Sequence, residues 1–190
     1  MNDSCFEEKT FEKIDFLENK LTEGDYEHCT FVNCDFSNTD LSNNKFLECE
    51  FKNCNLSMAK LIKTTFRDIK FRDCKLLGLH FENCNEFLFS AGFENCILNF
   101  SSFYKLGLKN TRFKDCSVQE VDFSKSDLSS SIFDNCDLTR ATFENTILEK
   151  VDFRTAYNYS IDPESNRIKK AKFSMVGIVG LLDKYEIEIE

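Results

Sequence analysis

The 190-residue chain predicts an all-β fold wound as a four-sided solenoid. Three observations carry that expectation: an apolar residue recurs every five positions, a small residue stands two before it, and a twenty-residue period sorts the apolar positions into columns. A period of five is neither the roughly 3.6 of a helix nor the ~2 of a flat strand, so each unit must turn a corner before the next begins. One apolar "centre" and one small residue per unit then fill a narrow interior.

From Phe6, steps of five reach Phe81 without landing on a polar residue, by way of Phe11, Phe16, Leu21, Tyr26 and their successors. The next step would meet Glu86, but a step of seven reaches Leu88, and the fives resume from Phe93 to Phe153, giving 30 centres with one two-residue slip. Every fourth centre forms a column of Phe alone: Phe11, Phe31, Phe51, Phe71, Phe93, Phe113, Phe133 and Phe153. A second column changes from Leu21, Leu41 and Leu61 to Phe81, Phe103, Phe123 and Phe143, while a third changes from Phe46 and Phe66 to Leu88, Leu108, Leu128 and Leu148. Bulky and smaller centres trade places, as a constant interior volume requires. The columns stay in phase only if the slip is a local bulge near 84–88. About seven and a half coils at the roughly 4.8 Å spacing of stacked strands give a rod on the order of 36 Å long.

Nine of the ten cysteines occupy the small inward position, and six form one column: Cys34, Cys54, Cys74, Cys96, Cys116 and Cys136. Stacked Cα atoms would satisfy the distance for a disulfide, but parallel inward side chains lack the dihedral angle, so the reading is reduced core residues that act as small hydrophobes. Zinc binding is the weaker alternative, because the gaps Cys29 to Cys34 and Cys49 to Cys54 are not knuckle spacings and no inward His joins them. His28 and His80 fall at outward positions on different sides with no acid, base or nucleophile placed to work with them. The Asn or Asp before each column Cys (Asn33, Asn53, Asp73, Asn95, Asp115, Asn135) reads as a corner residue, since these side chains tolerate tight turns. No Gly-rich phosphate loop or catalytic constellation stands out, so no enzyme, cofactor or metal is expected.

The net charge of −9 argues against nucleic acid as a direct ligand and leaves room for a basic partner. The N-terminus lacks a signal peptide and no apolar run reaches membrane length, so a cytoplasmic protein is expected.

Segments such as CDFSNTDLSNNKF, CDLTRATFENTIL and VDFSKSDLSSSIF resemble the pentapeptide-repeat family over residues 4 to 155. The resemblance implies a right-handed quadrilateral β-helix with four repeats per coil, a handedness that periodicity does not fix. The solenoid is expected over 1–173, with a loop near 156–168 and a cap over 174–190 made of a short helix and a strand. The ending GLLDKYEIEI resembles the tail of the Qnr and MfpA type, which implies a homodimer through Leu181, Leu182, Tyr185, Ile187 and Ile189.

That resemblance further implies a binding protein that mimics DNA, interacts with DNA gyrase or topoisomerase IV and relieves fluoroquinolone poisoning. Sorted by side, the repeat charges come to about −5 on the side of Tyr26, Phe46, Phe66 and Leu128, about −3 on the Cys-column side and near zero elsewhere. Expected contacts on the acidic side are Asp25, Glu27, Glu48, Asp68 and Asp127. Another side carries Lys70, Arg72, Arg112 and Lys114, and the chain lacks the two long loops of the plasmid-borne Qnr proteins. A scaffold or interaction module with some other partner is the alternative. At the slip, Glu86, Phe87 and Phe89 are candidate partner contacts, against the plainer reading of a bulge whose spare Phe packs locally.

Overall fold

A computed structural model describes residues 4–188. Each of the first four coils carries two parallel strands: β1 (Ser4–Glu7) and β2 (Thr10–Glu12), β3 (Gly24–Glu27) and β4 (Thr30–Val32), β5 (Lys45–Leu47) and β6 (Glu50–Lys52), β7 (Thr65–Arg67) and β8 (Ile69–Arg72). The next three coils carry one each, β9 (Ala91–Glu94), β10 (Arg112–Lys114) and β11 (Ile132–Asp134), and the coil of Phe153 is held by isolated bridges. The strands stack into a four-stranded sheet on face 1, β1-β3-β5-β7, and a seven-stranded sheet on face 2, β11-β10-β9-β8-β6-β4-β2. Faces 3 and 4 are held by isolated parallel bridges such as Asp35↔Asn55 and Asp40↔Lys60.

The register is the twenty-residue period made physical, with Phe31↔Phe51 and Phe113↔Phe133 paired across the coils. Nine rings from Phe11 to Phe173 form one stack on face 2, with neighbouring centroids 4.7 to 5.5 Å apart. Offset stacking suits rings whose spacing is already imposed by strand separation.

Corners depend on a residue in the left-handed region two positions after the centre, which Asn and Asp tolerate better than other side chains. Asn33, Asn53, Asp73, Asn95, Asp115 and Asn135 all sit at φ between 51° and 55°. Lys and Glu adopt the same conformation at Lys13, Lys63 and Glu8. The coil-to-coil bond fixes it, since Lys13 N–H donates to the Val32 carbonyl at 2.9 Å just as Asn33 N–H donates to Lys52.

Cys29, Cys34, Cys49, Cys54, Cys74, Cys84, Cys96, Cys116 and Cys136 are buried free thiols, and Cys5 is exposed. Cys29, Cys34, Cys49, Cys54, Cys74 and Cys96 each reach the carbonyl of a centre one coil below, as in Cys49 Sγ to Tyr26 O at 3.2 Å and Cys74 Sγ to Phe51 O at 3.3 Å. Burial raises the pKa of Cys29, Cys84 and Cys49, the last to about 12, so these thiols stay protonated at neutral pH.

The slip is closed within one coil, because Phe71 pairs with Phe93 at a separation of twenty-two while the neighbouring coils keep twenty. The backbone corrects one expectation there. Asn85 N–H still bonds Thr64 O in the old register, but it is Ser90 N–H that reaches Phe66 O, so Phe89 and not Leu88 takes the column position above Phe66. Residues 86–88 form a one-turn 3-10 helix inserted before that position.

Past Phe153 the repeat continues in disguise. Asn166 takes the small inward place, bonding Phe143 O at 2.8 Å and Thr146 N–H at 2.8 Å, and Phe173 ends the ring stack. Two 3-10 turns, Gly177–Leu181 and Asp183–Tyr185, then close the end. A side chain on Gly177 or Gly180 would collide with Tyr159, so these glycines let the cap seat directly on the last coil. The expected terminal strand has no ladder partner over residues 186–188, and Ile189 lies outside the described residues. An edge segment becomes a strand only when another chain or coil supplies its hydrogen bonds.

Candidate interaction surfaces

Asp25, Glu27, Glu48, Asp68 and Asp127 all project from face 1, because each stands next to, or two beyond, an inward centre. Together with Glu7 and Glu8 they put carboxylates on every one of the first four coils. These acids are not equally free. Asp25 pairs with Lys45 at 2.9 Å, Glu48 lies 3.6 Å from His28 Nδ1, and Asp68 accepts the Ser90 hydroxyl at 3.0 Å.

Asp127 stands apart, beyond the slip, where Lys109, Glu149 and Lys150 make face 1 mixed. Burial opposes its ionisation, but the Ser129 hydroxyl and N–H and the Lys109 ammonium at 3.2 Å outweigh it and hold the carboxyl below its usual range. The same local device uses up acids on other faces: Asp40 accepts Ser42 N–H at 3.0 Å and Asp152 accepts Arg154 N–H at 3.1 Å. The motif Asp-Leu-Ser is thus partly corner carpentry, in which a carboxylate satisfies a backbone donor two residues on.

At the bulge the structure separates residues that sequence spacing had grouped. Glu86 is exposed and Phe87 is 94% exposed, the most exposed of the large apolar residues described. Phe89 faces inward, packing edge to face on Phe81 and Phe103 at 5.8 and 6.4 Å. The expectation that Phe89 projects to a partner is therefore corrected: the column needs an apolar residue at this coil, and Phe89 supplies it.

At the C-terminal end, Leu181 and Leu182 are half-buried, while Tyr185 and Ile187 are exposed. Lys184 bridges Asp162 and Glu164, both at 2.7 Å, and the Tyr185 hydroxyl donates to Glu164 at 3.0 Å, which ties the tail to the 162–165 turn. Met175 and Val176 are each 87% exposed beside it, an apolar surface that the spacing of the tail did not single out.

Face 2 carries a feature that sequence reasoning met only as stray cations. Lys70, Arg72, Arg112 and Lys114 surround Gly92, over which a Cβ would meet nothing within 4 Å. The signal available in the sequence was a glycine at an outward strand position between two basic rungs. Among the described residues no group of three or more His, Cys, Asp or Glu is arranged to hold a metal ion, and no helix is long and apolar enough to cross a membrane.

Comparison with known proteins gives a family and a fold. The pentapeptide repeat region family matches residues 24–86 and 87–157. No curated protein matches the sequence. Among solved structures, QnrB1, a plasmid-mediated fluoroquinolone resistance protein, is 19% identical with a TM-score of 0.49, covering 97% of this chain and 100% of that one. HetL, a pentapeptide repeat protein involved in heterocyst differentiation regulation from the cyanobacterium Nostoc sp. strain PCC 7120, is 14% identical with a TM-score of 0.55, covering 90% of this chain and 86% of that one. At this identity the likeness to HetL is one of fold.

Proposed function

From the premise that this chain belongs to the pentapeptide-repeat family, we propose that it is a non-enzymatic, cytoplasmic binding rod that imitates duplex DNA toward DNA gyrase or topoisomerase IV, with protection from fluoroquinolones as the consequence. The observation that carries the reading is the row of face 1 carboxylates, from Glu7 and Glu8 through Asp25, Glu27 and Glu48 to Asp68, repeated at the coil pitch. A fixed array of negative charge at about 4.8 Å per coil offers a basic DNA-binding saddle what a phosphate strand offers it. The net charge of −9 steers the rod toward such a surface and away from DNA itself.

Lys45 and Arg67 interrupt the row, so the contact is patterned rather than uniform. Two rods join through their C-terminal ends in this proposal, with Leu181, Leu182, Tyr185, Ile187 and Ile189 at the junction. The exposed Tyr185 and Ile187 support it, and so does the stretch 186–188, which has no ladder partner. A monomeric mass by light scattering at micromolar concentration would remove the dimer.

The test of the main reading is a gyrase supercoiling assay with and without ciprofloxacin. Relief of poisoning or inhibition of supercoiling is expected at micromolar protein, and no effect over a wide concentration range would sink the proposal. A second reading, an interaction module for a protein other than a topoisomerase, is favoured by Phe87, which places an uncovered aromatic ring on the only break in the rod's repeat before Phe153. A pull-down that recovers such a partner and loses it on Phe87→Ala would support this second reading.

A further inference from the structure

The outer surface of the sheet on face 2 carries a basic hollow, and its position is not accounted for by an acidic DNA mimic. Lys70 lies opposite Gly92, and Arg72 lies opposite Glu94, which in turn lies opposite Lys114. The concavity bounded by Lys70, Arg72, Gly92, Glu94, Arg112 and Lys114 has a volume of about 280 Å³. It continues round the corner into a second hollow of about 350 Å³ that shares Lys70 and Gly92, is bordered by Asp68 and ends at Gly107 and Lys109. Gly107, like Gly92, has no heavy atom within 4 Å of where a Cβ would stand.

The charges around the hollow are unevenly engaged. Arg112 reaches Asp134 at 2.9 Å, Lys114 reaches Glu94 at 2.6 Å, and Arg72 reaches Glu50 at 3.0 Å and Glu94 at 3.5 Å. Among the described residues no carboxylate forms an ion pair with Lys70. The row of rungs through Gly92 is therefore basic below and above, with an empty step between. An extended segment laid along that step places alternate side chains about 7 Å apart, the separation between the two outward positions of one rung.

We propose that this hollow is a docking site for an acidic, extended segment of a protein partner, which seats one carboxylate over Gly92 between Lys70 and Arg112. Charge complementarity selects the occupant: the rim presents five cations, Lys70, Arg72, Lys109, Arg112 and Lys114, against two carboxylates, Glu94 and Asp68, on a chain whose net charge is negative. A long polyanion such as duplex DNA is disfavoured, because the acids of face 1 and Glu94 beside the hollow repel a continuous phosphate row. A short carboxylate segment seated between Lys70 and Arg112 meets Glu94 alone among the acids, and Lys114 and Arg72 already engage that carboxylate. The first hollow contains none of the face 1 acids and none of the C-terminal residues, and only its continuation reaches Asp68.

The test is fluorescence anisotropy of a labelled (Glu-Ala)4 peptide with the full chain in about 50 mM salt, a concentration at which exposed charges are only partly screened. A peptide with Gln in place of Glu and a short DNA duplex serve as competitors. Saturable binding of the Glu peptide is expected, with none for the Gln peptide. Gly92→Asp, which fills the step with a like charge, is expected to weaken binding at least tenfold. Arg112→Glu, at an exposed side chain, provides a second variant should the first disturb folding, which circular dichroism will show. Absence of saturable binding, equal affinity in both folded variants, or tighter binding of the duplex lost with the same substitutions would each overturn the proposal. Because gyrase protection is measured separately, failure here leaves the topoisomerase assay to stand or fall alone.

Discussion

The coils below the slip and those above it solve the same packing problem in different ways. Below it, aromatic centres occupy the adjacent faces 1 and 2, joined by Phe16 and Phe36 on face 3, and meet at the corners, as Phe46 does with Phe51 at 5.5 Å and 67° and Phe31 with Phe36 at 5.5 Å and 71°. Above it they occupy the opposite faces 2 and 4 and meet across the interior, as Phe113 does with Phe103 and Phe123 at 6.2 and 6.0 Å, nearly perpendicular. Leucine takes over face 1 at Leu108, Leu128 and Leu148. Face 1 loses its strands at the same place, and the corner after it closes with a backbone bond, Thr111 N–H to Leu108 O at 3.2 Å and Ser131 N–H to Leu128 O at 2.9 Å. The repeat thus constrains the volume of each coil and leaves its distribution among faces free.

Face 2 is common to both halves, so cutting its ring stack should cost most. Phe113→Ala is expected to lose about 3–5 kcal/mol, the usual cost of removing a fully buried Phe, read as a shifted urea midpoint. Next comes a swap between halves. Leu128→Phe forces an aromatic onto face 1 where Phe123 and Phe133 already fill the coil, and should cost about 1–3 kcal/mol by overpacking. Adding Phe123→Leu, which rebuilds the arrangement found below the slip, should recover part of that loss. If the double variant is no better than the sum of the singles, distribution among faces is not free.

A smaller effect follows from carboxylates shared by both halves. Asp40 is held below its usual range by the Ser42 hydroxyl and N–H, and Asp152 by the Arg154 guanidinium at 2.8 Å. Groups with a depressed folded-state pKa add stability that is present above the unfolded value of about 3.9 and lost as pH falls through the folded value. Melting temperature should therefore change little through these groups from pH 7 to 5 and drop below about pH 4. Asp40→Asn and Asp152→Asn together should flatten that drop. The smallest effect is expected at the bulge itself: Phe87→Ala, at a side chain in solvent, should change stability by no more than about 0.5 kcal/mol, whatever it does to a partner.

Much of this was legible in the residues alone. The column Phe11 to Phe153, the buried Cys column and the Asn or Asp corners are all consequences of spacing, and in each of them the residue type matches its place. The acidic positions of face 1 were placed correctly as well. What spacing misjudged was the slip, where Leu88, Phe87 and Phe89 are chemically alike and a count of two extra residues fits more than one register. It also missed the engagement of Asp25 by Lys45 and of Asp68 by Ser90, twenty and twenty-two residues away.

By itself the sequence determined the winding of this protein: four faces, twenty residues per coil, and an interior of Phe, Leu and Cys. Those are set by local periodicity, since an apolar residue every fifth position can be buried only if the chain turns at each unit. Only the tertiary structure decided that Phe89 turns in while Phe87 turns out, that Gly92 opens a basic hollow on an acidic rod, and which carboxylates remain free on face 1. These depend on which atoms meet between coils, and hydrogen bonds and charges act over a few ångströms of space rather than over residues of sequence.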